Sequence, residues 1–386
     1  MVYTIQTLNK ISKSGLTLFG DNYNITDELE HADAVLVRSA KMHDIALPSS
    51  VKAIARAGAG VNNIPVEKCA EDGIVVFNTP GANANAVKEM VIAGLLISSR
   101  KVVEGVNWAK TLTTDVAKEV EKGKGAFTGP ELLGKKLGVI GLGAIGVMVA
   151  NAAQALGMEV IGYDPYISIN AAWGLSRHIK HAVSLDEVLG EADYITVHVP
   201  LVETTKHMFN KDAFAKMKKD VRVLNFSRDT LVNNEDIIEA IKEGIVAKYV
   251  TDFPVEGVMN NENIITIPHL GASTPESEDN CAVMAVQQVK DYLENGNIVN
   301  SVNFPECSMG WGADYRLAII HKNVPTIIGK ITAIIAQEGI NIQDMLNRSK
   351  GDFAYTLIDT NTNISEDNIK NIQNIESIIN VRILTK

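Results

Sequence analysis

Cysteine is nearly absent from this 386-residue chain, with Cys69, Cys281 and Cys307 the only three. They are odd in number and far apart, which fits neither a disulfide framework nor a zinc site. No apolar run approaches the roughly 20 residues that a membrane-spanning helix needs. No apolar N-terminal stretch resembles a leader peptide, so a cytoplasmic location is expected. Positive charge is also in short supply: 36 Lys and Arg face 46 Asp and Glu, a net charge of −10. Nucleic acid and anionic membranes are therefore not expected as partners. Arginine is the scarcer cation, nine against 27 lysines, so each arginine at a strand end calls for a reason. Long repeats and low-complexity tracts are missing too. The length allows two or three domains, each able to bury a core.

What is present centres on one glycine turn. Gly141-Leu142-Gly143-Ala144-Ile145-Gly146 follows the apolar run Lys136-Leu137-Gly138-Val139-Ile140, which reads as a buried strand. Val149, Ala152, Ala153 and Leu156 then recur at i, i+3, i+4 and i+7, the spacing of a helix face. A second apolar run, Val160-Ile161-Gly162-Tyr163, ends at Asp164. Strand, glycine turn, helix, strand and acid in that order is what a dinucleotide site needs. Gly141 permits the tight turn, Gly143 lets a pyrophosphate approach the backbone, and Gly146 lets helix pack on strand. The helix N-terminus, with Ala144 and Ile145, offers free N–H groups to the phosphates. Asp164 can accept hydrogen bonds from the adenosine ribose and would repel a 2′-phosphate. No Arg or Lys directly follows it, so NAD is favoured over NADP as the cofactor.

The 135 residues before that first strand suffice for another domain. There, Ala34–Val37, Ala53–Ala55 and Ile74–Phe77 read as strands of a parallel α/β unit. A long helical stretch is expected from about 84 to 122. Beyond Asp164, the runs at 194–198, 222–226, 246–250 and 264–267 would complete a doubly wound sheet. A helix over 277–295 follows, then a Gly-containing linker at 307–312. The last seventy residues read β-α-β-β-α-β, the ferredoxin-like order, a common scaffold for small-ligand sensing.

Three residues past strand ends could carry chemistry. Arg228 follows Leu224-Asn225-Phe226-Ser227, where a guanidinium fork could grip a substrate carboxylate at two points; a structural ion pair is the plainer alternative. His269, in Pro268-His269-Leu270-Gly271-Ala272, could take the proton that leaves an alcohol as hydride goes to a nicotinamide. Glu256 lies thirteen residues earlier; if the two meet, the carboxylate would orient the ring and raise its pKa. His178 and His181 look like surface residues. In the first domain, Arg56-Ala57-Gly58-Ala59-Gly60-Val61-Asn62 exposes backbone N–H groups able to cradle a carboxylate, although a turn alone would explain the glycines. Arg38, Ser39 and Lys41 add positive charge at the same edge.

Taken together, these motifs resemble the D-isomer-specific 2-hydroxyacid dehydrogenases over about residues 30–305. The marks are Arg56-Ala57-Gly58-x-Gly60, the Gly141 turn with Asp164, His198-Val199-Pro200-Leu201, Asn225-Phe226-Ser227-Arg228, the Glu256 segment and the stretch from Pro268 to Thr274. The resemblance implies two Rossmann-like domains: a discontinuous, flavodoxin-like substrate domain (1–97 with 286–309) and an NAD-binding domain (98–285). It implies that Arg228 binds and polarises substrate, that Glu256 supports the base and that His269 is the acid/base. It adds His198, Pro200, Thr204, Ser227, Asp252 and Gly271 to the cofactor residues. Arg38, Lys41 and Arg56 suit a small phosphorylated 2-hydroxyacid, with Lys124 reaching its phosphate from a partner subunit of a homodimer or homotetramer. Residues 314–386 resemble an ACT domain, which in some relatives binds L-serine, and His321, Asn323 and Asn341 match those ligand positions. Two departures stand out. The usual Pro-Gly after the first ACT strand is Pro325-Thr326 here, and the usual Asp-Val-Phe reads Thr251-Asp252-Phe253. An unphosphorylated 2-hydroxyacid as substrate, or a non-enzymatic NAD-sensing role, stays open at this stage.

Overall fold

A computed structural model describes residues 2–259 and 261–386. The chain divides into two compact units, 1–83 with 275–386 and 84–274.

In the second unit, seven parallel strands form one sheet: β6 Lys136–Ile140, β7 Glu159–Tyr163, β8 Lys180–His181, β9 Tyr194–Val197, β10 Val221–Asn225, β11 Val246–Thr251 and β12 Ile264–Thr266. Their order is β12-β11-β10-β9-β6-β7-β8, so the direction of winding reverses between β6 and β9. A ligand crevice is expected at the carboxyl edge of such a switch point. The strands read as near-continuous apolar runs because both faces are covered. Ile140, Ile195, Val197, Val223 and Tyr249 pack into the core on one face. Leu137, Val139, Tyr194, Leu224 and Val250 meet helices 84–99 and 144–155 on the other.

Helix 84–99 thus belongs to this unit, since its Val87, Val91 and Leu95 complete that core. The domain division falls at 83/84 and 274/275 rather than at 97/98 and 285/286. The expected long helix to 122 is three pieces, Ala84–Ser99, Val102–Ala109 and Val116–Gly123, with a 3₁₀ turn Lys124–Phe127. Thr111, Thr113 and Thr114 interrupt it, as residues with branched, hydroxyl-bearing side chains do, and Asp115 takes a left-handed conformation, φ 48°.

The other unit holds a parallel sheet ordered β2-β1-β3-β4-β5. Its strands are β1 Tyr3–Thr7, β2 Tyr23–Thr26, β3 Ala34–Val37, β4 Ala53–Arg56 and β5 Val75–Phe77; β1 and β2 were not singled out from the sequence. Helix Pro275–Asn295 lies wholly in this unit, with Ala282, Ala285, Val286 and Val289 buried against the sheet residues. The C-terminal strands β13 Tyr315–Lys322, β14 Ile342–Lys350, β15 Phe353–Thr360 and β16 Ile378–Thr385 form an antiparallel sheet ordered β14-β15-β13-β16, as β-α-β-β-α-β connectivity requires.

This small sheet has its own core on one face, with Leu317, Ile319 and Ile358 against Ile331, Ile335 and Ile372 of its helices, and joins the core of the first domain on the other. Ala318, Ile320, Tyr355, Leu357 and Leu384 share one core with Ile5, Leu36, Phe77 and Tyr292. The expected linker is a tied strap on the surface: Cys307 is buried, Ser308, Gly310 and Gly312 are exposed, and Met309 N–H donates to Asn297. Arg316 and Asp359, both fully buried, pair through two bonds of 2.6 and 2.8 Å. The remaining guanidinium hydrogens go to the carbonyls of Asn295, Met309 and Gly310. A buried pair satisfied this completely ties sheet to strap, and removing one partner would leave the other charge stranded.

Candidate active site

The turn after β6 has the shape that its glycines allow. Gly141 sits at φ +89°, and a Cβ there would fall 2.7 Å from the His198 carbonyl. A Cβ on Gly146 would lie 1.9 Å from the Gly141 oxygen, so the helix can start against the turn only with glycine. Gly143 faces open space. Helix Ala144–Ala155 begins at Gly143 with no side-chain cap, which leaves its first N–H groups and its positive dipole end available. Asp164, past β7, accepts from the N–H of Leu142 and of Tyr166, each at 2.8 Å. One carboxylate therefore locks the glycine turn and keeps lone pairs for sugar hydroxyls.

Past β9, His198 N–H donates to Ile140, and its Nε2 lies 3.0 Å from Thr196 Oγ1. Its Nδ1 is buried without a partner among the described residues. Burial pushes the ring down to about 3, so it is neutral at physiological pH. Pro200 and Thr204 are exposed, and the loop is tied instead by Thr205 Oγ1, which donates to Pro200 O at 2.7 Å and accepts from Val202 N–H. Ser227 donates to Val199 O at 2.9 Å.

The carboxyl edge of β10, β11 and β12 gathers Arg228, Asp252, His269 and Gly271. Asp252 immediately follows β11, so the Thr-Asp-Phe segment delivers a carboxylate to the strand end. It is 2% exposed. Its Oδ2 accepts from Gly271 N–H at 3.0 Å, while Oδ1 is buried and unpartnered among the described residues. A Cβ on Gly271 would meet Oδ2 at 2.7 Å and displace that carboxylate. Burial raises the Asp252 pKa, and the Gly271 N–H, His269 and Arg228 pull it back. His269 is exposed at φ +50°, held by N–H bonds to Asp252 O and Ile267 O and edge-on to Phe253 at 5.1 Å. Arg228 is exposed, with Nη1 donating to Ser227 O at 2.6 Å.

Glu256 is exposed and makes no hydrogen bond or ion pair to His269 among the described residues. The carboxylate whose charge His269 meets is Asp252. The loop after β11 turns Glu256 into solvent, a path that linear spacing does not reveal.

In the first unit, Arg56 Nε–H donates to Arg38 O at 3.0 Å, and Arg38 pairs with Glu278 at 2.6 Å. The N–H groups of Ala59 and Gly60 donate to no atom among the described residues, consistent with a cradle. Asn62 Oδ1 lies 3.4 Å from Arg56 Nη1. Ser39 and Lys41 are exposed. Lys124 lies on an exposed 3₁₀ turn beside Glu121. The reading from sequence missed Asn9, which accepts three N–H bonds from residues 38–40; a lone asparagine after a strand carries no signal of that kind.

In the C-terminal sheet His321 is 1% exposed, with both ring nitrogens engaged by Lys322 O and Thr356 Oγ1. Burial lowers its pKa. Within the sheet its ring meets Thr356 on the neighbouring strand, and Thr356 Oγ1 in turn donates to Asn347 Oδ1 at 2.8 Å. Asn323 Nδ2 donates to Gly351 O, and Asn341 is exposed. Thr326 keeps the left-handed conformation of the glycine it stands for, φ +69°.

These features fit a dinucleotide: an uncapped helix end behind a turn without side chains, a locked ribose-facing carboxylate, and a buried acceptor at Asp252. Residues 92–271 match the D-isomer specific 2-hydroxyacid dehydrogenase, NAD binding domain. The chain is 33% identical over 334 residues to D-3-phosphoglycerate dehydrogenase of Methanocaldococcus jannaschii, covering 83% of this chain and 61% of that protein, less than two thirds of its length. To the enzyme of the same name from Haemophilus influenzae it is 31% identical, covering 84% of this chain and 79% of the relative. Among solved structures, NAD⁺-bound 3-phosphoglycerate dehydrogenase of Entamoeba histolytica aligns at TM-score 0.62 and 27% identity, covering 78% of this chain and 99% of that one. The chain belongs to the D-isomer specific 2-hydroxyacid dehydrogenase family.

Proposed function

We propose that this chain is an NAD-dependent oxidoreductase that converts D-3-phosphoglycerate to 3-phosphohydroxypyruvate, the first step of phosphorylated L-serine biosynthesis. The observation that carries the reading is the grouping of Arg228, Asp252 and His269 at neighbouring strand ends of the same sheet that bears the Gly141 turn. NAD, when bound, supplies the hydride acceptor. The N–H groups at Gly143–Gly146, Asp164 and the free Asp252 Oδ1 would hold it. Arg228 grips the carboxylate of the substrate and polarises the reacting C–O bond. His269 Nε2 or Nδ1 takes the hydroxyl proton on oxidation and returns it on reduction. Asp252, whose backbone carbonyl accepts from His269 N–H, would help to position the base, the part that the resemblance assigns to Glu256. The loops after β3 and β4 would recognise the anionic groups of the substrate, with Arg38, Lys41 and Arg56 suiting a phosphate. Assembly as a homodimer or homotetramer, with Lys124 serving a partner, belongs to the same proposal, as do the cytoplasmic location and L-serine at the ACT-like sheet.

His269→Ala should lose at least about 100-fold of kcat while NADH still binds. Near-normal turnover would overturn its role. A kcat/KM comparison of phosphohydroxypyruvate and hydroxypyruvate, each with NADH and NADPH, tests substrate and cofactor together; equal efficiencies for the two acids would overturn the phosphorylated substrate.

A further inference from the structure

Asn9 lies two residues past β1. Its Oδ1 accepts from the backbone N–H groups of Arg38, Ser39 and Ala40 at 3.2, 3.0 and 2.9 Å. Three successive amides converging on one point form a nest, a concavity that ordinarily collects an anion. A neutral carboxamide fills it here, so the loop after β3 is ordered without one. The loop after β4 is laced to it: Arg56 Nε donates to Arg38 O at 3.0 Å, Asn63 Nδ2 to Ala40 O at 2.8 Å, and Met42 N–H to Asn63 O at 2.8 Å. His43 Nε2 closes the seam, 3.1 Å from Asn62 O. Two cations ride on the loop that Asn9 holds. Arg38 is aimed by Glu278 at 2.6 Å, and Lys41 has no hydrogen-bond or ion-pair partner among the described residues.

We propose that Asn9 is a positioning residue for phosphate selection. By occupying the backbone nest it denies that site to the carboxylate of any 2-hydroxyacid. By fixing the loop it presents Arg38 and Lys41 as the anion-binding groups. Carboxylate recognition is thereby separated from phosphate recognition, and the chain favours the phosphorylated acid over its unphosphorylated analogue. A strong nest for small carboxylates would have blurred that distinction. The inference rests on the proposed substrate class.

The test uses the full chain with NADH, measuring kcat/KM for phosphohydroxypyruvate and hydroxypyruvate in wild type, Asn9→Ala and Asn9→Asp, with amide hydrogen exchange at residues 38–40. Asn9→Ala should expose those amides and lower the preference for the phosphorylated substrate by about tenfold, through KM, with kcat within about twofold. Asn9→Asp keeps the acceptor, so the amides stay protected. Its new negative charge should raise KM for the phosphorylated substrate alone, an effect that shrinks in high salt. An unchanged preference despite exposed amides, or an equal loss for both substrates, would overturn the proposal. Should Asn9→Ala fail to fold, Asn9→Asp decides: an unchanged preference overturns the idea and a selective, salt-sensitive KM rise supports it. A wild type without preference for the phosphate sinks the substrate reading itself and this inference with it. Preference in wild type that survives in both variants sinks only the role of Asn9.

Discussion

Two glycine turns follow buried parallel strands in this protein, one after β6 and one after β4, and they are held by different physics. At 141–146, backbone meets backbone so closely that Gly141 and Gly146 admit no side chain. At 56–60, a Cβ on Gly58 would meet nothing nearer than Arg56 Nε, at 3.6 Å. That loop is shaped by bonds to distant residues: its own Arg56 donates to Arg38 O, in the loop that Asn9 holds, and Asn78 donates to Ala59 O. A turn built by steric exclusion is nearly determined by its own residues. A turn built by lacing depends on partners far away in sequence.

The sharpest way to break this comparison is to add one methyl to each turn. Gly146→Ala should destabilise the protein by about 1–3 kcal/mol, as overpacking does, and weaken NADH binding at least about tenfold. Gly58→Ala should change melting by less than about 0.5 kcal/mol. Equal effects, read by thermal melting and NADH titration, would erase the distinction. Next in size, Asp164→Ser should move the NADPH-to-NADH preference by about 100-fold, since it removes the charge that repels a 2′-phosphate. Unchanged selectivity would mean that the ribose is recognised elsewhere.

A smaller effect concerns Asp252. Its folded pKa is raised by burial, so holding it ionised costs stability above its unfolded pKa near 3.8. Asp252→Asn keeps an acceptor for Gly271 N–H while removing the buried charge. It should raise the neutral-pH melting temperature of the free enzyme and lower turnover. A fall in melting temperature would show the charge to be well compensated. A last effect, absent at neutral pH, comes from His198. Its folded pKa is depressed to about 3 from 6.5, so the unfolded chain takes up a proton first as pH falls. Stability from this group is complete above about 6.5 and drains by about 1.4 kcal/mol per pH unit below it. His198→Gln should flatten that slope between pH 6.5 and 4, measured by chemical denaturation; an unchanged slope would assign it to other groups.

The distribution of correct readings follows the same division. The Gly141 turn, Asp164 and the strands on either side were legible because local sterics and apolar runs fix them. The positions of Arg228 and His269 past strand ends were legible because a strand end is a defined place in an α/β sheet; their roles belong to the proposal. The Glu256–His269 pair was not, because the intervening loop sends Glu256 outward and leaves Asp252 beside the ring. Helix 84–122 was overextended because threonines and a left-handed Asp115 break a pattern that hydrophobic spacing alone continues. His321 matched a ligand position in sequence yet is enclosed by Thr356 and Lys322.

The residues themselves determined the parallel sheets, the dinucleotide turn and its acidic strand end, and the antiparallel C-terminal order, since each follows from periodicity or excluded volume within a short stretch. Only tertiary structure decided that helix 84–99 completes the cofactor-side core, that one face of the C-terminal sheet shares a core with the first domain, and that Arg316 ties that sheet to residues 295–310. It alone decided that Asn9 orders the loop carrying Arg38 and Lys41. These outcomes depend on groups tens to hundreds of residues apart meeting in one place, and the free energy of such meetings is written in packing and hydrogen bonds, not in any local pattern.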